Sequence, residues 1–128
     1  MRILIVDDDS GTLNALKAGL SSFGHQVVVA EEGYQALKII ETSTEGTEPV
    51  DLMVTDLIMP GMKGLELIHS AKKARPGLAS ILITAFGDHD VQKEAAAMGC
   101  GYIEKPFTPE TLLKMIKALR GKIRMAER

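Results

Sequence analysis

Residues 51–64 read DLMVTDLIMPGMKG, and this stretch decides the fold. Leu52, Met53 and Val54 form a short apolar run that Thr55 extends, and Asp56 stands at its end. Pro60-Gly61 then interrupts the chain, and Leu65, Ile68 and Ala71 follow at helical spacing up to Pro76-Gly77. An apolar run without polar alternation suits a strand in the interior of a parallel sheet, covered on both faces. The stretch is therefore one strand–helix unit with an acid at the strand's carboxyl end.

The same unit recurs on either side. Beside Leu52–Thr55, the strand candidates are Arg2–Val6, Gln26–Ala30, Ser80–Thr84 and Tyr102–Glu104. Arg2–Val6 and Ser80–Thr84 share the nearly continuous apolar character of central strands. Leu13, Leu16, Leu20 and Phe23 are spaced as one helix face ended by Gly24, and Ala36, Leu37 and Ile40 mark a shorter face. Val91, Ala95 and Met98 indicate a fourth helix ended by Gly99. Thr108 as cap and Pro109 at the first helical position open a fifth, with Leu112, Leu113, Ile116 and Leu119 on its apolar face. Strands alternating with helices predict right-handed crossovers and a doubly wound five-stranded parallel sheet, (βα)5. Thr42–Pro49, rich in Thr, Glu and Gly, reads as a loop, because the alternation resumes directly after it. One domain is expected over 1–121, with 122–128 as a basic tail or the start of a linker.

Composition narrows the function classes. At 128 residues, 45% hydrophobic and 25% charged, the chain is an ordinary globular domain and not a disordered one. A net charge of −2 argues against a nucleic-acid binder, and 4% aromatics without Trp argue against a stacking platform. The single Cys100 excludes an intramolecular disulfide and a cysteine zinc cage. Apolar runs such as Ile3–Val6 fall far short of the roughly 20 residues that span a bilayer. Met1-Arg2 leads directly into a strand without a signal-like segment, so a cytoplasmic domain is expected, with no direct nucleic-acid or membrane partner.

In an open α/β sheet, ligands bind beyond the carboxyl ends of the strands, near the switch in strand order. Asp7, Asp8 and Asp9 follow the first strand, Asp56 the third, Thr84 ends the fourth, and Lys105 follows the fifth. Asp9 precedes Ser10 and reads as a helix cap. Glu31 and Glu32 follow an edge strand, farther from the switch point. Asp7, Asp8 and Asp56 would repel one another unless a cation joins them. Lys105 and a divalent cation together neutralise them, and an all-oxygen carboxylate set suits Mg²⁺, with Mn²⁺ as an alternative. A carboxylate able to attack phosphorus forms an aspartyl phosphate, while the cations stabilise the equatorial oxygens. Phosphoryl acceptance is the chemistry these residues suit.

Four stretches carry a resemblance to a family: ILIVDDDS at 3–10, DLMVTDLIMPGMKG at 51–64, ILITAFGD at 81–88 and GYIEKPF at 101–107. In this order and spacing the chain resembles the receiver domain of two-component response regulators over essentially its whole length. The resemblance implies the flavodoxin-like strand order 2-1-3-4-5. It makes Asp56 the phosphoacceptor and Asp7, Asp8, Asp56 and the backbone carbonyl of Ile58 the Mg²⁺ ligands. Thr84 becomes the switch hydroxyl, Lys105 the cation on the phosphoryl group, and Tyr102 the aromatic that rotates. Lys105-Pro106 is expected as a cis peptide. The implied donor is a sensor histidine kinase or phosphotransfer protein. The implied recipient is an output domain or target protein, reached through the face of helix 4, strand 5 and helix 5, with phosphorylation-dependent dimerisation as a further implication. Such a domain is a signalling module that catalyses only its own phosphorylation and slow dephosphorylation. In receivers the residues two places beyond the acceptor and the switch hydroxyl flank the path of hydrolytic water. Here they are Ile58 and Phe86, both bulky and apolar, whereas Ala85 leaves room for a donor.

Rival readings fail on particular residues. Asp7-Asp8-Asp9-Ser10-Gly11-Thr12 partly resembles the first motif of haloacid-dehalogenase-type phosphatases, but its Gly stands one place late. Lys105 also follows, rather than precedes, the late acidic segment Gly87-Asp88-His89-Asp90. An unphosphorylated interaction module would lack part of the acid–Lys set, and neither GxGxxG nor a P-loop follows the first strand. His25, His69 and His89 lie in separate segments without ligand spacing, and Cys100 between two glycines reads as a packed small residue. The cations from Lys114 to Arg128 suit the end of a last helix.

Overall fold

The computed structural model describes residues 1–42, 49–85 and 89–126, with side chains as far as residue 120. Five strands alternate with five helices: β1 (Arg2–Val6), α1 (Ser10–Ser21), β2 (Gln26–Ala30), α2 (Gly33–Thr42), β3 (Leu52–Asp56), α3 (Gly64–Ala74), β4 (Ala79–Thr84), α4 (His89–Ala97), β5 (Gly101–Glu104) and α5 (Pro109–Ala126). All strand pairs are parallel, in the order β2-β1-β3-β4-β5. The crossovers place helices on both faces of the sheet, which buries it on each side.

Burial along the strands explains their composition. β1, β3 and β4 are almost wholly buried, whereas the edge strands β2 and β5 are half-exposed. Side chains of the central strands alternate between two cores. Leu4, Val6, Met53 and Leu82 meet Ala36 and Ile40 of α2, Leu67, Ile68 and Ala71 of α3, and Ala95 of α4. Ile3, Ile5, Val54, Ile81 and Ile83 meet Leu13 and Leu20 of α1 and Leu112 and Ile116 of α5. Every central strand thus ends between two packed layers, and its next residue emerges on one rim.

The helix termini follow their sequence signals. Asp9 caps α1, accepting from the Gly11 N–H at 3.1 Å and the Thr12 hydroxyl at 2.8 Å. These bonds hold the exposed Asp9 carboxyl below its usual value. The Thr108 hydroxyl accepts from the Thr111 N–H at 3.3 Å, leaving Pro109 to open α5. Strands β3, β4 and β5 each run one residue beyond the sequence reading, to include Asp56, Ala79 and Gly101.

Phe23 is a correction. It is 64% exposed and does not join the inner face of α1, because the helix ends at Ser21. The chain then turns through Gly24 at φ 86°, which carries Phe23 off the helical spacing. Most of the expected loop Thr42–Pro49, and Phe86, lie outside the described residues. α5 continues across residue 121 to Ala126, with no side chains described beyond 120. Among the described residues, no helix is long and apolar enough to cross a membrane.

Candidate functional site

Parallel register brings the strand ends to one rim. Val6 lies beside Ala30 and Thr55, Asp56 beside Ile83, and Thr84 beside Glu104. The ladders run one residue further, with Asp7 N–H donating to Ala30 at 3.2 Å, Leu57 N–H to Ile83 at 3.1 Å and Lys105 N–H to Thr84 at 2.9 Å. These bonds set the backbone from which the charged side chains project. Residues more than ninety positions apart in the sequence meet here.

Carboxylate oxygens of Asp7, Asp8 and Asp56 lie within 4.8 Å of one another. Lys105 reaches into the group, with its Nζ 3.2 Å from Asp56 Oδ2 and 3.7 Å from Asp7 Oδ2. Asp56 Oδ1 accepts the Leu57 N–H at 2.8 Å, and Asp7 Oδ1 accepts the Asp9 N–H at 2.9 Å. Both carboxylates are therefore oriented through one oxygen while the other faces the shared space. Asp8 is exposed, Asp56 half-buried and Asp7 buried.

Electrostatics follow from this crowding. Burial raises the Asp7 carboxyl above its usual value, and the Asp56 and Asp8 charges add to the rise, against the Asp9 amide and Lys105. Burial alone would lower the Lys105 ammonium. The hydrogen bond and charge of Asp56, then the charge of Asp7, outweigh it and leave Lys105 raised and protonated. Three carboxylates against one ammonium leave an excess of negative charge, and every donor is a hard oxygen. That donor set fits a small divalent cation such as Mg²⁺ or Mn²⁺.

The remaining predicted residues divide. Thr84 is fully buried at the end of β4, beside the Lys105 backbone. Tyr102 is half-buried against the core shared with α2 and α3, and its hydroxyl lies 3.4 Å from Glu104 Oε1. Ile58 is 53% exposed between buried Leu57 and Met59. The Lys105-Pro106 peptide is cis. Glu31, Glu32 and the three histidines do not belong to the acidic group, among the described residues. Cys100 is buried, its Sγ 3.2 Å from the Gly101 carbonyl, and burial pushes its thiol up to about 11. Sequence reading missed the Leu57 N–H and the Thr55 hydroxyl, which donates to the Asp56 carbonyl at 3.0 Å. A main-chain donor carries no side-chain signature, and Thr55 reads simply as strand.

The sequence profile of the response regulator receiver domain matches residues 3–117. The chain belongs to this family. A cyclic di-GMP phosphodiesterase of Thermotoga maritima is 33% identical over 125 residues, covering 96% of this chain and 32% of that protein. The transcriptional regulatory protein GlrR of Escherichia coli is 35% identical over 115 residues, covering 89% of this chain and 25% of the relative. The response regulator MprA of Mycobacterium avium is 34% identical, covering 93% and 50%. The receiver thus spans between a quarter and half of these relatives. In three dimensions it is similar to a CheY-like receiver domain from Methanospirillum hungatei, with TM-score 0.89, 33% identity, and 98% and 97% of the two chains covered. It is also similar to the beryllofluoride-activated NtrC4 receiver dimer, with TM-score 0.86, 29% identity, and 95% and 98% covered.

Proposed function

We propose that this receiver accepts a phosphoryl group on Asp56 from the phosphohistidine of a sensor histidine kinase or phosphotransfer protein, in a Mg²⁺-dependent reaction in the cytoplasm. The observation that carries this reading is the Asp56 carboxylate, 3.2 Å from the Lys105 ammonium and within one 4.8 Å group with Asp7 and Asp8. An Asp56 oxygen forms the new bond to phosphorus as the donor's P–N bond breaks, its electron pair returning to the imidazole. Lys105 neutralises the negative charge of the transferring oxygens from a position already set by Asp56 and Asp7. Asp7, Asp8, Asp56 and the Ile58 backbone carbonyl would hold Mg²⁺, which when bound supplies further positive charge at those oxygens. A surface cavity of about 420 Å³ lined by Thr12, Ala85, Lys105, Pro106 and Phe107 offers an approach for the donor.

Phosphorylation adds about −1.5 to −2 charge and three acceptor oxygens beside Thr84. The Thr84 hydroxyl turns toward them, and Tyr102 moves inward from its place beside Glu104. The surface of α4, β5 and α5 changes with it, and an output domain or target binds the phosphorylated population better. Dimerisation through that surface is one form the output takes. The site works on its own aspartate and turns over no separate substrate.

Intact mass spectrometry after incubation with acetyl phosphate and Mg²⁺ tests the phosphoacceptor. The protein gains one acid-labile phosphoryl group, and Asp56→Asn gains none. Equal labelling of Asp56→Asn would refute the assignment.

A further inference from the structure

Gly64 opens α3, and the backbone of the acceptor strand lies directly against its Cα. A Cβ at this position would run into the Asp56 carbonyl oxygen and lie 2.9 Å from Leu57 Cα and 3.0 Å from the Asp56 carbonyl carbon. These are main-chain atoms, with no flexible side chain to yield. The Gly64 N–H donates to the Leu57 carbonyl at 2.8 Å, closing the loop from Leu57 to Lys63 onto the strand end. On the same peptide, the Thr55 hydroxyl holds the Asp56 carbonyl at 3.0 Å. The Leu57 N–H is shared between the Ile83 carbonyl at 3.1 Å and Asp56 Oδ1 at 2.8 Å. Displacing the Asp56–Leu57 peptide would therefore swing the donor that orients the acceptor carboxylate. Its other oxygen would leave Lys105, now 3.2 Å away.

We propose that Gly64 is a positioning residue for the phosphoacceptor: its missing side chain lets α3 close on the Asp56–Leu57 peptide, which aims the Asp56 carboxylate through the Leu57 N–H. The proposal rests on Asp56 as the accepting residue. Gly64 touches no reacting atom and acts only through that peptide. A rate at saturating donor, rather than stability alone, reports this role.

The control is Gly101→Ala, whose Cβ would crowd Met115 Sδ at 2.6 Å and Ile81 Cγ1 at 3.2 Å, at the end of β5 away from Lys105. Wild type, Gly64→Ala, Gly101→Ala and Thr55→Val are compared in urea melts, by the Leu57 amide resonance, and by loading at saturating acetyl phosphate and Mg²⁺. Gly64→Ala should load at least about tenfold more slowly while folded, because small misplacements of reacting groups cost rates of this order. Its Leu57 amide resonance should move, while Gly101→Ala keeps both the rate and the resonance. Should Gly64→Ala not fold, Thr55→Val, which frees the same carbonyl without adding bulk, must slow loading and shift the resonance. Wild-type loading by folded Gly64→Ala, or an equal slowing in Gly101→Ala, would overturn the proposal. If Gly64→Ala does not fold, wild-type loading by Thr55→Val would overturn it too. A wild type that fails to load would instead overturn the phosphoacceptor reading beneath it.

Discussion

Strand β3 has an aspartate at each end, and the two sit in opposite circumstances. Asp51, just before the strand, accepts the Arg2 N–H at 2.8 Å, and its own N–H donates to the Arg2 carbonyl at 2.8 Å. It joins β1 to β3 as a satisfied structural group. Asp56, at the other end, shares its space with two further carboxylates and one ammonium. The same residue type is tied down by main-chain bonds at one rim and crowded by like charge at the other. Crowded like charges at a strand end are what a bound cation would relieve.

The largest test of this contrast removes the cation. Lys105→Ala should slow loading by about 100–1,000-fold at saturating donor and Mg²⁺, since a group aimed at developing negative oxygens is worth that much. Its side chain is 29% exposed, so the loss in stability should stay near 1 kcal/mol or below. A urea melt beside the loading assay separates the two effects. Unchanged loading would place Lys105 with ordinary surface lysines.

Substitutions at the two rims should then move stability in opposite directions. Folding raises the Asp7 pKa, so the native state holds that proton more tightly than the unfolded chain. The stability this contributes is present below the unfolded value near 3.8 and is lost as pH rises through the raised one. Asp7→Asn keeps an acceptor for the Asp9 N–H without the buried charge. At neutral pH in EDTA it should raise Tm by about 2–5 °C, while weakening Mg²⁺ binding. Asp51→Ala leaves the Arg2 N–H without its acceptor and should lower Tm by about 4–8 °C. Thermal melts in which both variants lose stability would break the comparison.

The smallest expected effect concerns the lifetime of the phosphoryl group. Ile58 cannot orient a water and lies two places beyond Asp56, 53% exposed. Ile58→Asn should shorten the decay of the acid-labile mass a few-fold at constant Mg²⁺. An unchanged decay would mean that the side chain only covers its loop.

How much was legible depended on the kind of signal. Unbroken apolar runs such as Ile3–Val6 announced β1, β3 and β4, because burial on both faces leaves no room for polar alternation. Asp7, Asp8, Asp56, Thr84 and Lys105 stood out because strand ends in this topology share one rim. Phe23 misled, because helical spacing continues on paper up to Gly24, whereas the helix ends at Ser21. Gly64 and Thr55 lie in the stretch 51–64, yet no individual role was legible for them, because what sets them apart is contact with main-chain atoms of Asp56.

Hydrophobic pattern, turn residues and strand-end acids are local properties, and they determined the alternation of elements, the sheet type and the membership of the charged rim. Distances among those charges are not local. They depend on register between strands that close only when both cores pack, which brings Lys105 to 3.2 Å from Asp56 and buries Asp7 while leaving Asp8 in water. Tertiary structure alone decided which carboxylate is desolvated, which amide bonds the Asp56 carboxylate, and that a Cβ at Gly64 would meet the Asp56–Leu57 backbone.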